Sequence, residues 1–559
     1  MNTLICMKDE KGNEIREIEG ILGIICEFYE SLYKKDELEE DNMELKNGER
    51  GRNEYRNEEC PPIMEREVER AIVRLKEGKA AGPDRISNEE LKAGGKKVIE
   101  ILTRLFNLCL TNGKIPEIWL KANLLLLFKK GDKKEVKNYR PISLLSSIYK
   151  IFMAIISHRI DGYLTAATPI SQTGFKKNFS TLDNILVLQE LIRNSKEYKF
   201  PLVLLFIDFE KAFDKINTAA VIQTLEDLGI SNKYLEIFRF IYGNMKSEFS
   251  LRGKSRVMQV NRGLRQGDIP SAKIFNAVLE KSLMKLQWQE RGININGVKL
   301  NALKFADDIV IVGNDTEEVC GMLKDLIEVT KKIGMKVNFD KSKVMTYNSD
   351  ENDRVLVTED GRIEKVDHFI YLGQKIGREG QWGEVTRRVA IGWAMFKKYS
   401  YLFRSKISME NKKKLLQTCI LPAILYGCET WTINEKIIKK LRITVRSMER
   451  VMIGVTRKDR KTKLWIRNET KIEDVGKMII ERKWNWAGHI ARTTDERWTK
   501  RILEWYPRNL RRSRGRPSYG WDEEFRKVCG GATWQRVARE RKEWERMKNV
   551  YKEVWLYKD

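Results

Sequence analysis

Histidine is scarce in this chain: His158, His368 and His489 are the only three in 559 residues. Its eight cysteines, Cys6, Cys26, Cys60, Cys109, Cys320, Cys419, Cys428 and Cys529, form no C-x-x-C pair. Together these facts argue against a Cys/His zinc site, and the scatter fits a reducing compartment rather than a disulfide framework. No apolar run approaches about 18 residues, so no transmembrane helix is expected. Residues 1–30 hold no basic segment followed by an apolar core, which argues against a signal peptide. No internal repeat is visible.

Acid is short relative to base. Lys and Arg number 105 against 79 Asp and Glu, a net charge of +26, which points to a polyanionic partner. Residues 1–60 sum to −8 and residues 441–559 to +15, and ten of the 14 Trp lie after position 430. A basic, aromatic-rich tail suits phosphate contact with base stacking. For any one Trp, however, the core of a helical domain with a solvated Lys/Arg face is the preferred reading. The acidic stretch "KKDELEEDNMELKNGERGRNEYRNEEC" (34–60) reads as a solvated linker.

What is present is a puzzle at "KFADDIVIV" (304–312), where Asp307 and Asp308 stand together among apolar residues. Burying ionised carboxylates costs several kcal/mol each unless something positive compensates them. Alternation puts neighbouring residues on opposite faces of a strand, so two adjacent acids between apolar runs suggest the tip of a tight hairpin. Paired acids capping a solvent turn are one outcome. A metal site is the other, because Mg2+ takes one or two carboxylates and completes its shell with water and phosphate. "LVLLFID" (202–208) is a second buried strand, ending in Asp208. Acids on neighbouring strands can hold the two metal ions used for nucleotidyl transfer.

Around these strands, "SAKIFNAVLEKSLMKLQW" (271–288) and residues 316–333 show helical spacing, the second with Asp315 as cap and Gly334 as stop. "MKVNFDKSKVMTYN" (335–348) reads as extended and "HFIYLGQKI" (368–376) as a strand with a turn glycine. After 376 the pattern is mostly helical, with a helix pair expected near Pro422.

Several of these stretches carry a resemblance. "LLFIDFEKAFD" (204–214), "GLRQGDIPSAKIFN" (263–276), "FADD" (305–308), "KKIGMKVNFDKSKVM" (331–345) and "FIYLGQKI" (369–376) occur in the order of the palm motifs of non-LTR, LINE-like retrotransposon reverse transcriptases. "KAAGPDRIS" (79–87), "LFKKGDKKEVKNYRPISLL" (127–145) and "SQTGFKKNFSTLDNI" (171–185) resemble the fingers motifs that precede them. "LPAILYGCETW" (421–431), "WNWAGHIARTTDERW" (484–498) and "RGRPSYGW" (514–521) extend the likeness, in an RTE-like style, into the tail.

The resemblance implies an α+β, right-hand polymerase with a ferredoxin-like palm, followed by a mainly helical basic region. Its expected domains are an N-terminal helical and linker segment (1–61), fingers (62–200), palm (201–376), thumb (377–450) and a nucleic-acid-binding region (451–559). The reverse transcriptase domain as a whole would span about 110–376. It implies Asp208, Asp307 and Asp308 as catalytic carboxylates on two Mg2+ ions, with Mn2+ as an alternative, and the Phe209 carbonyl completing one shell. Phe213 would be a steric gate against ribonucleotides. Gln266 and Gly267 would lie beside the incoming base pair. In the family this loop more often reads "QG-x-P-L-S-P"; here it is "QGDIPSA".

Lys129 or Lys130, with Arg140, would contact the triphosphate. Lys343 resembles a lysine that protonates pyrophosphate, a solvated strand-end lysine being the alternative, and "YLGQ" (371–374) a primer grip. Asp214 reads as a helix N-cap. His489 reads as packing or nucleic-acid contact, and "RNLRRSRGRP" (508–517) as a phosphate-binding segment or solvated surface. Expected partners are an RNA template, a DNA primer or target and dNTPs, at a nuclear site of action. About 60 residues precede the fingers motifs, too few for an apurinic-type endonuclease, so the nick of target-primed reverse transcription is expected in trans. A decayed copy acting as an RNA-binding scaffold is the rival reading.

Overall fold

The structure is a computed structural model that describes residues 5–34, 60–348, 355–507, 510–512, 514–515, 517–530 and 534–556. The predicted linker lies, but for its end residues, outside the described residues. The strands in chain order are β1 (Met7–Lys8), β2 (Glu14–Ile15), β3 (Lys121–Phe128), β4 (Tyr139–Leu144), β5 (Leu202–Ile207), β6 (Lys246–Leu251), β7 (Lys254–Gln259), β8 (Ile293–Ile295), β9 (Val298–Leu300), β10 (Ala302–Phe305), β11 (Asp308–Gly313), β12 (Lys343–Tyr347), β13 (Val355–Thr358), β14 (Gly361–Lys365), β15 (His368–Tyr371) and β16 (Gln374–Gly377). Helix and strand are therefore mixed, as the α+β expectation requires.

The chain packs as two compact units. The first comprises Met1–Lys176, Asp208–Gln287 and Leu323–Asn338. Its sheet runs β4-β3-β6-β7, antiparallel except where β3 meets β6. The helix Ile18–Tyr33 lies against β7, and buried Arg262 donates Nε–H to the Leu32 carbonyl at 2.9 Å. Phe106, Trp119, Tyr149 and Phe152 pack ring to ring beneath the helices. The predicted helix at 271 forms over Ser271–Leu283.

The second unit comprises Lys177–Ile207, Trp288–Met322 and Phe339–Asp559. Its sheet runs β10-β11-β5-β12-β14-β13. All six residues of β5 are buried; strands flank both its edges, and the helix Thr181–Tyr198 and the tail cover the face that holds Leu202, Leu204 and Phe206. Each such large apolar side chain contributes about 1.5–3 kcal/mol by leaving water. β10 and β11 form the expected hairpin, with Phe305 opposite Asp308 and only Ala306 and Asp307 in the turn. Ala306 takes φ +55, a left-handed conformation that this two-residue reversal demands. β15 and β16 form a second such hairpin through Leu372 (φ +45) and Gly373 (φ +77).

One expectation about the later chain is corrected, and the core reading preferred for any one tail Trp holds for five of them. The segment around Pro422 is not a helix pair: Met409–Leu415, a π-helical turn Leu416–Ile420 and Leu421–Ile424 follow one another without a break. The wide turn accommodates the N–H that Pro422 lacks. The tail tryptophans that stand among the largest buried side chains, Trp431, Trp484, Trp521, Trp534 and Trp544, are core. Four of them join Phe206, Leu303 and Val310 of the strands in one apolar cluster. Burial removes those four rings from base stacking. No helix among the described residues is long and apolar enough to cross a membrane.

Candidate active site

Asp208 leaves the C-terminal end of β5. Ile207, bonded to it, pairs with Ile309, the residue after Asp308. The strands expected to neighbour one another are thus direct partners, and the turn that holds Asp307 lies at the end of β11 facing this register. Asp208 and Asp307 are half-buried and Asp308 is exposed. Among the described residues no three His, Cys, Asp or Glu side chains close into a metal cage. Oxygen-only donors at strand ends, short of a cage, match a hard cation that also takes water and phosphate.

The Asp208 carbonyl accepts from Asn338 N–H at 2.8 Å, and Glu210 N–H donates to the Lys336 carbonyl at 2.9 Å. Phe209, between them, pairs with Val337. In such a non-hydrogen-bonded pair the residue's own N–H and C=O point away from the partner strand, so the Phe209 carbonyl faces the side opposite Val337. Phe213 is half-buried, stacked on Phe275 at 4.3 Å between ring centroids, with Phe175 meeting its edge.

Arg140, Gln266 and Asp214 form a hydrogen-bonded chain. Arg140 donates Nε–H to Gln266 Oε1 at 2.6 Å, and Gln266 Nε2 donates to Asp214 Oδ1 at 3.1 Å. The N-cap role expected for Asp214 is therefore incorrect. It lies inside the short helix Ala212–Lys215, its carboxylate is buried, and Asn217 caps the next helix instead. Desolvation, opposed by Lys211, by the Gln266 amide and by Arg140, pushes the Asp214 carboxyl up to about 6.

Gly267 sits at φ +116, and a Cβ there would come within 2.9 Å of the Ser143 carbonyl on β4. Its need for glycine thus comes from the protein's own backbone. Lys129 and Lys130 are exposed just beyond β3 in the β3–β4 hairpin, whose ladder places Arg140 opposite Leu127.

Sequence reading missed how this loop is anchored. The Asp268 carboxylate accepts from Tyr149 Oη at 2.9 Å and from Ile269 N–H at 2.9 Å, and desolvation raises its pKa. Buried Arg265 donates to the Leu120 carbonyl and, at 3.2 Å, to the Lys246 carbonyl. The displaced proline, Pro270, takes the position before the helix Ser271–Leu283. Asn276 in that helix donates to the Gly174 carbonyl at 2.6 Å, joining two motif blocks. Two charged residues inside a glycine-containing loop were the available signal.

In the second unit Lys343 opens β12 opposite Phe206. Its ammonium donates to the Asp340 carbonyl at 2.6 Å and pairs with Glu364 at 3.0 Å. The Leu372–Gly373 turn is gripped from the tail: Tyr426 Oη donates to the Leu372 carbonyl at 2.8 Å and Arg387 to that of Gly373 at 2.6 Å. Asn184 donates to the Lys304 carbonyl at 3.1 Å and to Tyr371 Oη at 3.2 Å, tying both hairpins to the helix Thr181–Tyr198. Buried Arg497 pairs with Asp183 at 3.4 Å on the same helix. His489 is exposed. Within 508–517, residues 508, 509, 513 and 516 lie outside the described residues, and Arg512 pairs with Glu197 at 3.5 Å.

Comparison with known proteins follows the same residues. The family model described as reverse transcriptase (RNA-dependent DNA polymerase) matches residues 129–376. An uncharacterized transposon-derived protein of Caenorhabditis elegans is 31% identical over 268 residues, 45% of this chain and 96% of that protein. The transposon TX1 149 kDa protein of Xenopus laevis is 27% identical, over 56% of this chain and 24% of its own. The retrovirus-related Pol polyprotein of the R2 element of Popillia japonica is 24% identical, over 69% of this chain and 54% of its own. The chain thus spans about a quarter to a half of these two longer relatives. Among solved structures, apo telomerase from Candida tropicalis superposes with a TM-score of 0.38 at 11% identity, over 68% of this chain and 63% of that one.

Proposed function

The chain belongs to the reverse transcriptase (RNA-dependent DNA polymerase) family, and on that premise we propose that it copies the RNA of a non-LTR retrotransposon into DNA. The observation that carries the reading is the pairing of β5 with β11, which brings the strand that Asp208 directly follows against the strand opened by Asp308.

In this reading the right hand has fingers at 62–200, a palm at 201–376 and a thumb at 377–450, with the basic helical region 451–559 behind them. Asp208 and Asp307 bind divalent cations, with Asp308 as an outer ligand and the Phe209 carbonyl completing one shell. Bound Mg2+ supplies acidification of the primer 3′-hydroxyl and neutralisation of the leaving pyrophosphate. The other roles belong to the chain's own groups. Arg140, with Lys129 or Lys130, binds the triphosphate, and Arg suits a bidentate hold. Phe213, braced by Phe275, occupies the space a 2′-hydroxyl would need. Gln266 and Gly267 lie under the incoming base pair. Lys343 stands beside the pyrophosphate, and the Leu372–Gly373 turn supports the primer end.

The partners are then an RNA template, a DNA primer or nicked target, and dNTPs, with the site of action nuclear. The test is primer extension on an RNA template with purified chain, Mg2+ and dNTPs, beside an Asp307→Ala/Asp308→Ala double variant. Extension by the wild type and none by the variant is expected. RNA binding without extension by the wild type would sink the polymerase reading and leave an RNA-binding scaffold.

A further inference from the structure

Arginine only donates hydrogen bonds, and a carboxylate only accepts them. Gln266 lies between one of each. With Arg140 on one side its amide must present Oε1, and with Asp214 on the other it must present Nε2; the observed 2.6 and 3.1 Å contacts satisfy both. A flipped amide would set N–H against N–H at one end and oxygen against oxygen at the other. The two charges therefore dictate a single orientation of the amide.

The chain also runs from inside to outside. Asp214 is 5% exposed, Gln266 is half-buried and Arg140 is exposed. The surrounding backbone is already tied. Leu264 N–H donates to the Phe213 carbonyl at 2.7 Å, and Ser143 N–H donates to the Gln266 carbonyl at 3.0 Å. Gly263, at φ +91, lies so close that a Cβ would come within 2.5 Å of the Asp214 carbonyl oxygen. With the backbone held, the freedom left is that of the Gln266 and Arg140 side chains, and Asp214 is placed to remove it. Packing alone does not call for a carboxylate here, since an apolar residue would fill the site without the cost of desolvating a charge.

We propose that Asp214 is a positioning residue for nucleotide binding, which orients the Gln266 amide from inside the protein and, through it, the Arg140 guanidinium that meets the incoming triphosphate. The proposal rests on the nucleotide-binding roles given to Arg140 and Gln266 above. It assigns Asp214 no contact with substrate. It predicts that losing the carboxylate weakens the hold on dNTP more than it slows the chemical step.

Steady-state primer extension by the full chain, with dNTP varied on an RNA template, tests it. Asp214→Leu is expected to raise KM for dNTP about tenfold with kcat within about threefold of wild type. Asp214→Asn keeps an acceptor oxygen for the amide and is expected to stay within about threefold in KM. On a Gln266→Leu background, Asp214→Leu is expected to add less than about twofold, because its route is already cut. Asp214→Ala carries the same expectations should Asp214→Leu not fold. Equal factors with and without the Gln266 side chain would overturn the proposal. So would an unchanged KM with kcat and melting temperature falling together, which is the mark of a merely structural residue. A wild-type chain without extension would instead refute the polymerase reading, so the two failures are distinct.

Discussion

Replacing Trp544 by alanine separates a core role for the tail tryptophans from a nucleic-acid role. Trp544 is 1% exposed and stacks on Trp484 with ring centroids 3.7 Å apart and planes 10° from parallel. Each indole N–H donates to the other residue's carbonyl, Trp484 Nε1 at 3.0 Å and Trp544 Nε1 at 3.1 Å. Gly488 is bare beneath it, since a Cβ there would meet Trp544 Nε1 at 2.4 Å. Truncation of a buried Trp costs about 3–5 kcal/mol in transfer and cavity terms. The lost hydrogen bond adds about 1 kcal/mol and the lost stacking about 0.5–1.5 kcal/mol. The contributions overlap, so about 4–6 kcal/mol is expected, a large part of the stability of an ordinary domain.

Thermal unfolding of the full chain, followed by far-ultraviolet circular dichroism, is expected to show a midpoint about 10–20 °C lower for Trp544→Ala. Primer extension should fail at correspondingly lower temperature, because the cluster around Trp544 includes Leu204 and Phe206 of β5 and Val310 of β11. RNA affinity measured well below the midpoint should be unchanged. A midpoint shift under about 2 °C together with a tenfold weaker RNA complex would refute this reasoning and return the ring to base stacking.

Three further outcomes follow from the site. The Asp214 carboxyl stands at about 6 in the folded chain against an ordinary 3.8. The folded state therefore holds the extra proton between about pH 4 and 6, and the stability this group contributes is lost as pH rises through that window, by about 3 kcal/mol in all. Asp214→Asn should accordingly raise the melting temperature at pH 7.5 and not at pH 4; a difference that ignores pH sinks the idea. Gly267→Ala forces a Cβ against the Ser143 carbonyl at an unfavourable φ, so extension efficiency should drop at least about tenfold, with unchanged kcat/KM as the contrary result. Phe213→Val should increase ribonucleotide incorporation in a competition assay, and unaltered dNTP/rNTP selectivity would remove Phe213 from the gate.

Much of the fold was legible because its signals are local. Six buried residues in a row made β5 readable, and the paired acids between apolar runs made the β10–β11 turn readable. Asp315 does cap its helix, accepting from Glu318 N–H at 2.8 Å. The Glu318 carboxylate, by contrast, turns to the N–H groups of Gly292 and Asn314, which no local pattern announces. Gly267 was recognisable as a position that needs glycine, but not the Ser143 carbonyl that makes it so. For any one tail tryptophan the core of a helical domain was the preferred reading over base stacking, but which groups cover each ring was not legible, since composition carries no information about them.

The sequence by itself determined the family, the strand that Asp208 directly follows, the hairpin that presents Asp307 and Asp308, and the helical character after residue 376. These depend on periodicity, turn chemistry and motif order, which act over a few residues. Tertiary structure alone decided that Asp214 is a buried acceptor rather than a cap. It also decided that Arg140 and Gln266, 126 positions apart, share a hydrogen bond, and that the basic tail is fused by its tryptophans to the core of the β5 sheet. The physical reason is that the cost of burying a charge or a ring depends on the groups gathered around it. Chain folding brings those groups together from distant positions.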